Sequence, residues 1–388
     1  MPRYPLSAPS AQSLSDGVFG RLVKLSNGQN QRVYPLHVGD TYLEPLLLAR
    51  AESQSSGAHV RLHNYAPVQG EPELLQAIIR KIERRSGVTI DVENLQVMSG
   101  ATGAMGVLCN ALLEPGDELI LPSPFWPLMR GAVKARGATP VEVPFFTRLT
   151  DPQFDPIAAL ERAITPRTCA IYLNSPHNPT GVVLPERVLE GIADLALRHN
   201  LWIIADEVYE DVYFTDKAPR SVFSNEIYAS HTIATHSLSK AYGLAGARVG
   251  FTHGPPDIMQ VVRGVQTFYS YCAPRPMQFG AANALDQGDG WLNDMRATYA
   301  RAGRAAAEAL ELPAPEGGTF LFFDLQPFMR SGETLVNVLE RCLQAGVMLT
   351  PGTACGRDFG SWARLCFTAV PEPDLRDALA LLRSALFG

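Results

Sequence analysis

Lys240 lies in the run 236–251, HSLSKAYGLAGARVGF, among Ser237, Ser239, Ala241, Gly243, Ala245, Gly246 and Ala247, with Arg248 and then Val-Gly-Phe beyond it. Small neighbours let a bulky planar group approach the backbone. Two hydroxyls and a guanidinium in one short segment suit an anion. A lysine amine in that setting can form a Schiff base with a phosphorylated aldehyde. A glycine-rich turn carrying an incidental lysine reads the same way, so this segment has to be weighed together with others.

Several other positions carry residue types that the same chemistry needs. Asp206 follows four apolar residues, Trp202 to Ala205, and a carboxylate at the end of a buried strand is costly unless paired. A protonated pyridine nitrogen is one suitable partner, because the ion pair keeps the ring an electron sink. A helix N-cap or an arginine salt bridge is another use for it. Tyr209 can bring its hydroxyl to the same side. Asn178 stands in the turn HNPTG, where its amide could donate to a phenolate oxygen, although Pro179 and Gly181 also suit a plain turn. In SGATG (99–103) a strand feeds a helix, so the backbone of Ala101 and the hydroxyl of Thr102 stand at a natural phosphate site, or in a well-capped buried helix. Trp126 and Phe125 follow Pro124, and either could stack on a planar ring or belong to the core. Arg364, in WARLCFT, opens a strand with apolar neighbours, which invites a bidentate carboxylate or an internal ion pair.

The elements that would position these residues follow from hydrophobic periodicity. Short strands are expected at 95–98, 118–121, 139–143, 169–173, 201–205, 231–236 and 247–252, alternating with helices from Pro72 to Gly87, after SGATG to Leu113, and at 126–136, 157–164 and 184–199. Such alternation predicts an α/β fold with a mostly parallel sheet covered on both faces by helices. Ligands of these sheets sit beyond the carboxyl ends of the strands, which is where the clusters after Met98, Leu173, Ala205 and His236 fall. A short strand is also expected in LHVGDTYLEP before a turn at Gly39-Asp40, and a weak helix near 18–25. A long helical region, 256–310, is interrupted around Ala273 to Pro276. A turn and strand in PAPEGGTFLFFDL (313–325) and strands at 347–349 and 364–367, with helices at 334–345 and 374–386, form a second, smaller α+β unit. The expected division is an N-terminal arm, 1–38, shared with the small unit, a large domain at 39–280 and a small C-terminal domain at 281–388.

The 388 residues are 46% hydrophobic and 19% charged, ample for a globular core, and the net charge of −6 argues against nucleic-acid or anionic-membrane partners. The six cysteines are widely spaced, with no CxxC pair and no histidine at ligand spacing, so free thiols, no metal site and a reducing cytoplasm are expected. No run has the length and apolarity of a signal peptide or membrane span. GxSxG, GxGxxG after the first strand and GxxxxGK[ST] are all absent, which removes the hydrolase elbow, the nicotinamide fingerprint and the P-loop.

Together NYAPVQG, SGATGAM, NSPHNPTG, DEVY, SLSKAYGLAGARVG and RLCFT resemble the fold-type I, pyridoxal-phosphate-dependent class I/II aminotransferases of the aspartate aminotransferase group, over most of the chain. The resemblance implies a large cofactor-binding domain and a smaller α+β domain. It implies that Lys240 carries pyridoxal 5'-phosphate and acts as the base, that Asp206 pairs with the ring nitrogen, and that Tyr209 and Asn178 hold the phenolate oxygen. Ala101, Thr102, Ser237 and Arg248 would hold the phosphate, Trp126 would stack on the ring, and Tyr65 would reach the phosphate of a neighbouring subunit, making a homodimer with shared sites. Arg364 and Asn178, with backbone of Gly39, would clamp the substrate α-carboxylate. The implied activity is amino-group transfer between an L-amino acid and a 2-oxo acid by a ping-pong mechanism. Relatives usually read G-x-P-D-F where this chain reads Gly39-Asp40-Thr41-Tyr42, carry a tyrosine where it has Met129, and have Ser-Thr-Ser-x-Pro where it has YSYCAPRPMQ. A carbon–sulfur β-lyase of the same fold is the alternative reading, and a non-catalytic regulator a distant one. Arg32, Arg61, Arg130 and Arg275 are all open as partners for a distal substrate carboxylate.

Overall fold

The computed structural model describes residues 31–388 together with Leu14; the helix expected near 18–25 lies outside them. Among the described residues ten strands are formed: β1 Leu95–Met98, β2 Glu118–Ser123, β3 Thr139–Pro144, β4 Thr168–Asn174, β5 Trp202–Asp206, β6 Thr232–Ser237, β7 Gly250–His253, β8 Phe320–Asp324, β9 Thr350–Pro351 and β10 Trp362–Cys366. The α-helices are α1 Pro72–Ser86, α2 Gly100–Leu112, α3 Pro127–Ala135, α4 Pro156–Glu161, α5 Glu186–Arg198, α6 Glu226–Ala229, α7 Leu238–Ala241, α8 Pro256–Ser270, α9 Arg275–Gln287, α10 Asp289–Ala309, α11 Leu335–Gln344 and α12 Glu372–Phe387. No helix among the described residues is long and apolar enough to cross a membrane.

The large sheet has seven strands in the order β1-β7-β6-β5-β4-β2-β3, with β7 antiparallel to both its neighbours and every other pairing parallel. Both faces are buried, and alternation along the strands divides the core. Ile204, Tyr172 and Leu121 join one apolar cluster with Met98, Leu108 and Met129, whereas Ile203, Ile171 and Ile120 join another with Ile192 and Leu195. Fully burying one such isoleucine stabilises the fold by roughly 1.5–3 kcal/mol. The smaller antiparallel sheet, β8-β10-β9, packs into a third cluster with α1, α9, α10 and α12.

Local signals account for most element ends. α1 opens on Pro72 and ends at Gly87, whose φ of 72° supplies the left-handed cap that donates to the Glu83 carbonyl. Three expectations need correction. Residues 36–40 do not form a strand; Tyr34 makes a single parallel bridge to Val347, and the chain then turns toward Gly39. That bridge also takes up the expected strand at 347–349, so pairing with β10 begins only at Thr350. The strand expected from Ala247 begins at Gly250, because 245–247 form a 3-10 turn closed by Arg248 in the left-handed region at φ 54°. The region 256–310 is broken after Ser270, as expected near Pro274, and again at Gly288.

Candidate active site

The parallel strands β1, β4, β5 and β6 all deliver their carboxyl ends to one edge of the sheet, and a cavity of about 140 Å³ opens there. Ala101, Thr102, Trp126, Asn178, Asp206, Tyr209, Ser237, Lys240 and Arg248 line it, with Met105, Val208, Ser239 and Ala245. Nine positions singled out in the sequence therefore converge from five separate segments. Phe125, the other aromatic considered, is fully buried in the core, and its ring lies under the Arg130 guanidinium at 5.1 Å. Met129 is likewise in the core and does not reach the cavity.

Asp206 ends β5 with only 4% of its surface exposed. Its carboxylate accepts a hydrogen bond from the Tyr172 hydroxyl at 2.5 Å and a long one from the Val208 amide at 3.4 Å. Among the described residues, no cationic nitrogen lies within ion-pair distance of it. Burial pushes its carboxyl up to about 6, against the opposing effect of the Tyr172 bond. Lys240 has the complementary deficiency. Burial pulls its ammonium below the ordinary lysine range, and Nζ donates to the Gly39 carbonyl with no carboxylate in ion-pair distance among the described residues. One cavity thus holds a buried carboxylate lacking a cation and a half-buried amine lacking an anion.

At the other end, α2 begins directly after β1. Ser99, its N-cap, makes no side-chain cap bond, so the first-turn amides at Ala101 and Thr102 are open to a ligand. Ser237 caps α7 by accepting from the Ser239 amide at 3.1 Å. The Arg248 guanidinium arrives between them, donating to the carbonyls of Ala245 (2.8 Å) and Ser99 (3.5 Å). Gly100, at φ 73°, is required there, since a Cβ would meet Arg248 Nη2 at 2.3 Å.

Arg364 stands at the mouth, 5% exposed. Nη1 donates to Asn178 Oδ1 at 2.9 Å, and Nη2 to the His37 carbonyl at 3.1 Å and Thr350 Oγ1 at 3.3 Å. Its Nε is buried without a hydrogen-bond partner, a cost of roughly 1–3 kcal/mol that a bound carboxylate would relieve. The guanidinium lies 4.3 Å from the centre of the Phe320 ring. The same ring meets the edge of Tyr209 at 6.0 Å and leaves no room for a Cβ on Gly39. Burial and the nearby Arg364 charge pull His37 down to about 4. Phe320, His37 and Thr350 were not identifiable beforehand, because their roles depend on β8, β9 and β10 being folded against residues 36–40. Tyr172 was not identifiable either: it shares a face with Asp206 only because the register pairs Asn174, two residues on, with Asp206.

Tyr65 is 80% exposed and lies outside this cavity, packed edge-on against Tyr271 at 4.9 Å on a separate face with Cys272 and Arg275. Three of the four arginines considered for a distal carboxylate are paired within the chain: Arg32 with Asp374, Arg130 with Glu142 and Arg275 with Glu71. Behind the site, Glu207, Glu210 and His236 place ligand-type atoms within 4.8 Å of one another, but Lys81 (3.3 Å) and Arg85 (2.9 Å) already engage Glu210. The six cysteines are unpaired.

A family model described as aminotransferase class I and II matches residues 31–382. The chain is 34% identical over 374 residues to an arginine–pyruvate transaminase of Pseudomonas aeruginosa, covering 93% of this chain and 92% of that one. It is 33% identical over 334 residues to a probable aspartate/prephenate aminotransferase of Thermus aquaticus, covering 83% of each. Among solved structures it is similar to an aspartate aminotransferase variant of Thermus thermophilus, with a TM-score of 0.88 at 28% identity over 98% of this chain and all of that one. An N-succinyldiaminopimelate aminotransferase of Mycobacterium tuberculosis gives 0.89 at 27% identity, again over 98% of this chain and all of the other.

Proposed function

The chain belongs to the class I and II aminotransferases, pyridoxal-phosphate-dependent enzymes of amino-group transfer, and on that premise we propose that the cavity at the strand ends is where it binds the cofactor and works on an L-amino acid and a 2-oxo acid in turn. The observation that carries this reading is the pair of complementary deficiencies, Asp206 without a cation and Lys240 without an anion, facing one cavity. The residues fit the cofactor. Asp206 would hold the proton on the ring nitrogen, Trp126 would stack on the ring, and Tyr209 and Asn178 would hold its phenolate oxygen. The α2 amides, Thr102, Ser237 and Arg248 would hold the phosphate. Bound pyridoxal phosphate supplies an electron sink for the pair released when the substrate Cα–H bond breaks.

The chain's own part is to orient the substrate and move a proton. Arg364, with Asn178 and the Gly39 backbone, fixes the α-carboxylate and so aims the Cα–H bond. Lys240 Nζ takes the proton from Cα, and burial, which lowers its ammonium from the ordinary lysine range, works in that direction. Tyr65 is assigned to the phosphate of a partner subunit, which makes the working unit a homodimer; its exposure on a face away from its own cavity supports this. A large unit at 39–280, a small one at 281–388 joined by residues 1–38, and a cytoplasmic location complete the reading, supported respectively by the two separate sheets and by six unpaired cysteines. Of the four arginines weighed for a distal carboxylate, only Arg61 has no acidic partner among the described residues, and it lies near Tyr65.

Visible absorbance of the purified protein tests this reading. A yellow protein bleached by single amino acids without acceptor, releasing one equivalent of oxo acid and no ammonia, is expected. Lys240→Ala should show neither the same colour nor turnover. Ammonia release, or no colour after pyridoxal phosphate is added, would overturn the proposal.

A further inference from the structure

Asp206 is held by the neighbouring strand β4. Tyr172, on the adjacent strand β4, is fully buried, and its ring lies in the apolar cluster of Met98, Met105 and Ile204. Its hydroxyl reaches along the sheet to Asp206 Oδ2 at 2.5 Å. The two strands are locked in register, Tyr172 opposite Ile204 and Asn174 opposite Asp206, and the Asn174 amide donates to the Asp206 carbonyl at 2.7 Å. Backbone and carboxylate of Asp206 are thus both tied to β4. Two other charged groups act on the carboxylate through space, His236 lowering and Glu207 raising it, and each has its own partner: Glu207 accepts from the Ser221 hydroxyl at 2.5 Å, and His236 pairs with Glu210 at 2.9 Å.

We propose that Tyr172 is a positioning residue for Asp206, fixing Oδ2 and lowering the basicity of the carboxylate so that the proton it shares with the cofactor stays on the ring nitrogen. The physical argument rests on burial and on the assignment of Asp206 to that nitrogen made above. A carboxylate in a dry site is a strong base, and burial already lifts Asp206 to about 6. A donor 2.5 Å away disperses its charge. Without that donor, one buried lone pair is unsatisfied, and the shared proton moves toward the carboxylate. The ring then carries less positive charge and accepts electrons less well. Burial and the adjacent Asp206 hold the Tyr172 hydroxyl protonated, well above the ordinary phenol range, so it remains a donor at every working pH.

The test is a pH titration of the visible spectrum of the cofactor-loaded enzyme, with steady-state kinetics and thermal melts alongside. In Tyr172→Phe the spectral midpoint should rise by roughly half to one pH unit, because weakening a neighbouring positive charge lets the titrating group keep its proton longer. The value of kcat should fall about tenfold with KM little changed. Incorporating 3,5-difluorotyrosine at position 172 keeps ring and hydroxyl but donates more strongly, and should move the midpoint the other way; it also serves if the phenylalanine variant folds poorly. Asp206→Asn is run in parallel. If Asp206→Asn moves the midpoint and neither change at 172 does, the role of Tyr172 is refuted while the site stands. If Asp206→Asn leaves the midpoint in place, the assignment of Asp206 to the ring nitrogen falls, and this inference with it. A shift in melting temperature alone, with midpoint and kcat unchanged, would mean that Tyr172 is only a packing residue.

Discussion

Asp206 and Lys240 are each expensive alone, and the chain keeps both in one cavity. The cost of Asp206 can be measured. Its folded value of about 6 lies above the ordinary 3.8. The stability linked to it is therefore fully present below about pH 4 and is lost as pH rises through 6, amounting to a penalty on the order of 3 kcal/mol at pH 8. Cofactor-free Asp206→Asn should accordingly melt at a higher temperature than the cofactor-free parent at pH 8. The gap should narrow through pH 6 and close near pH 4, as followed by calorimetry across that range. A gap independent of pH would show that the carboxylate is not buried as described. On the proposed pairing with Asp206, the ring nitrogen would remove this penalty in the loaded enzyme, and relief of the buried charge would then contribute to the cofactor's affinity.

At the scale of elements, the site depends on β5 and β6 being held against α1. Lys81 on α1 bonds Asp211 at 2.5 Å and Glu210 at 3.3 Å, Arg85 bonds Glu210 at 2.9 Å, and Glu210 accepts from His236 on β6. Burial opposes the charge on Lys81, but Asp211 and Glu210 outweigh it, and its ammonium stays above the ordinary range. Glu210 and Asp211 follow Asp206 by a few residues, and His236 directly precedes Ser237, so this network sets the position of both strand ends. Breaking a buried pair from one side leaves an uncompensated charge, which typically costs 3–5 kcal/mol. Lys81→Met should destabilise the protein by about that much in urea unfolding, whereas Lys81→Met combined with Asp211→Leu should recover a good part of the loss. Equal stability of the single variant and the parent would mean that the network contributes nothing to the hold of α1.

For the whole molecule, the question is what completes the site. Tyr65 packs edge-on against Tyr271, which closes the run 268–271 that also exposes Tyr269 and, at 92%, Phe268, and large exposed aromatics in one stretch mark an interaction surface. Mixing inactive Tyr65→Ala with inactive Lys240→Ala should restore part of the activity, because a hybrid dimer regains one intact site; a mixture with no activity would place Tyr65 outside the reaction. Much of this was legible in the amino-acid order. Asp206 was recognisable because a polar residue at the end of an apolar strand contradicts its surroundings, Asn178 because it stands in the turn HNPTG that follows a strand, and Lys240 because its neighbours are so small. The short strand expected at 36–40 failed because a local pattern cannot say whether a partner strand is available, and there only Tyr34 finds one, at Val347. Amino-acid order alone is enough for the alternation of strands and helices and the residue types at each strand end, since periodicity and side-chain chemistry are local properties, and the family was legible only through the resemblance of its combined motifs. Only the tertiary structure decided that Trp126 rather than Phe125 faces the cavity and that Arg364 is set by Asn178 and Phe320. It alone showed that Tyr172 reaches Asp206, because register and burial arise from distant segments packing together.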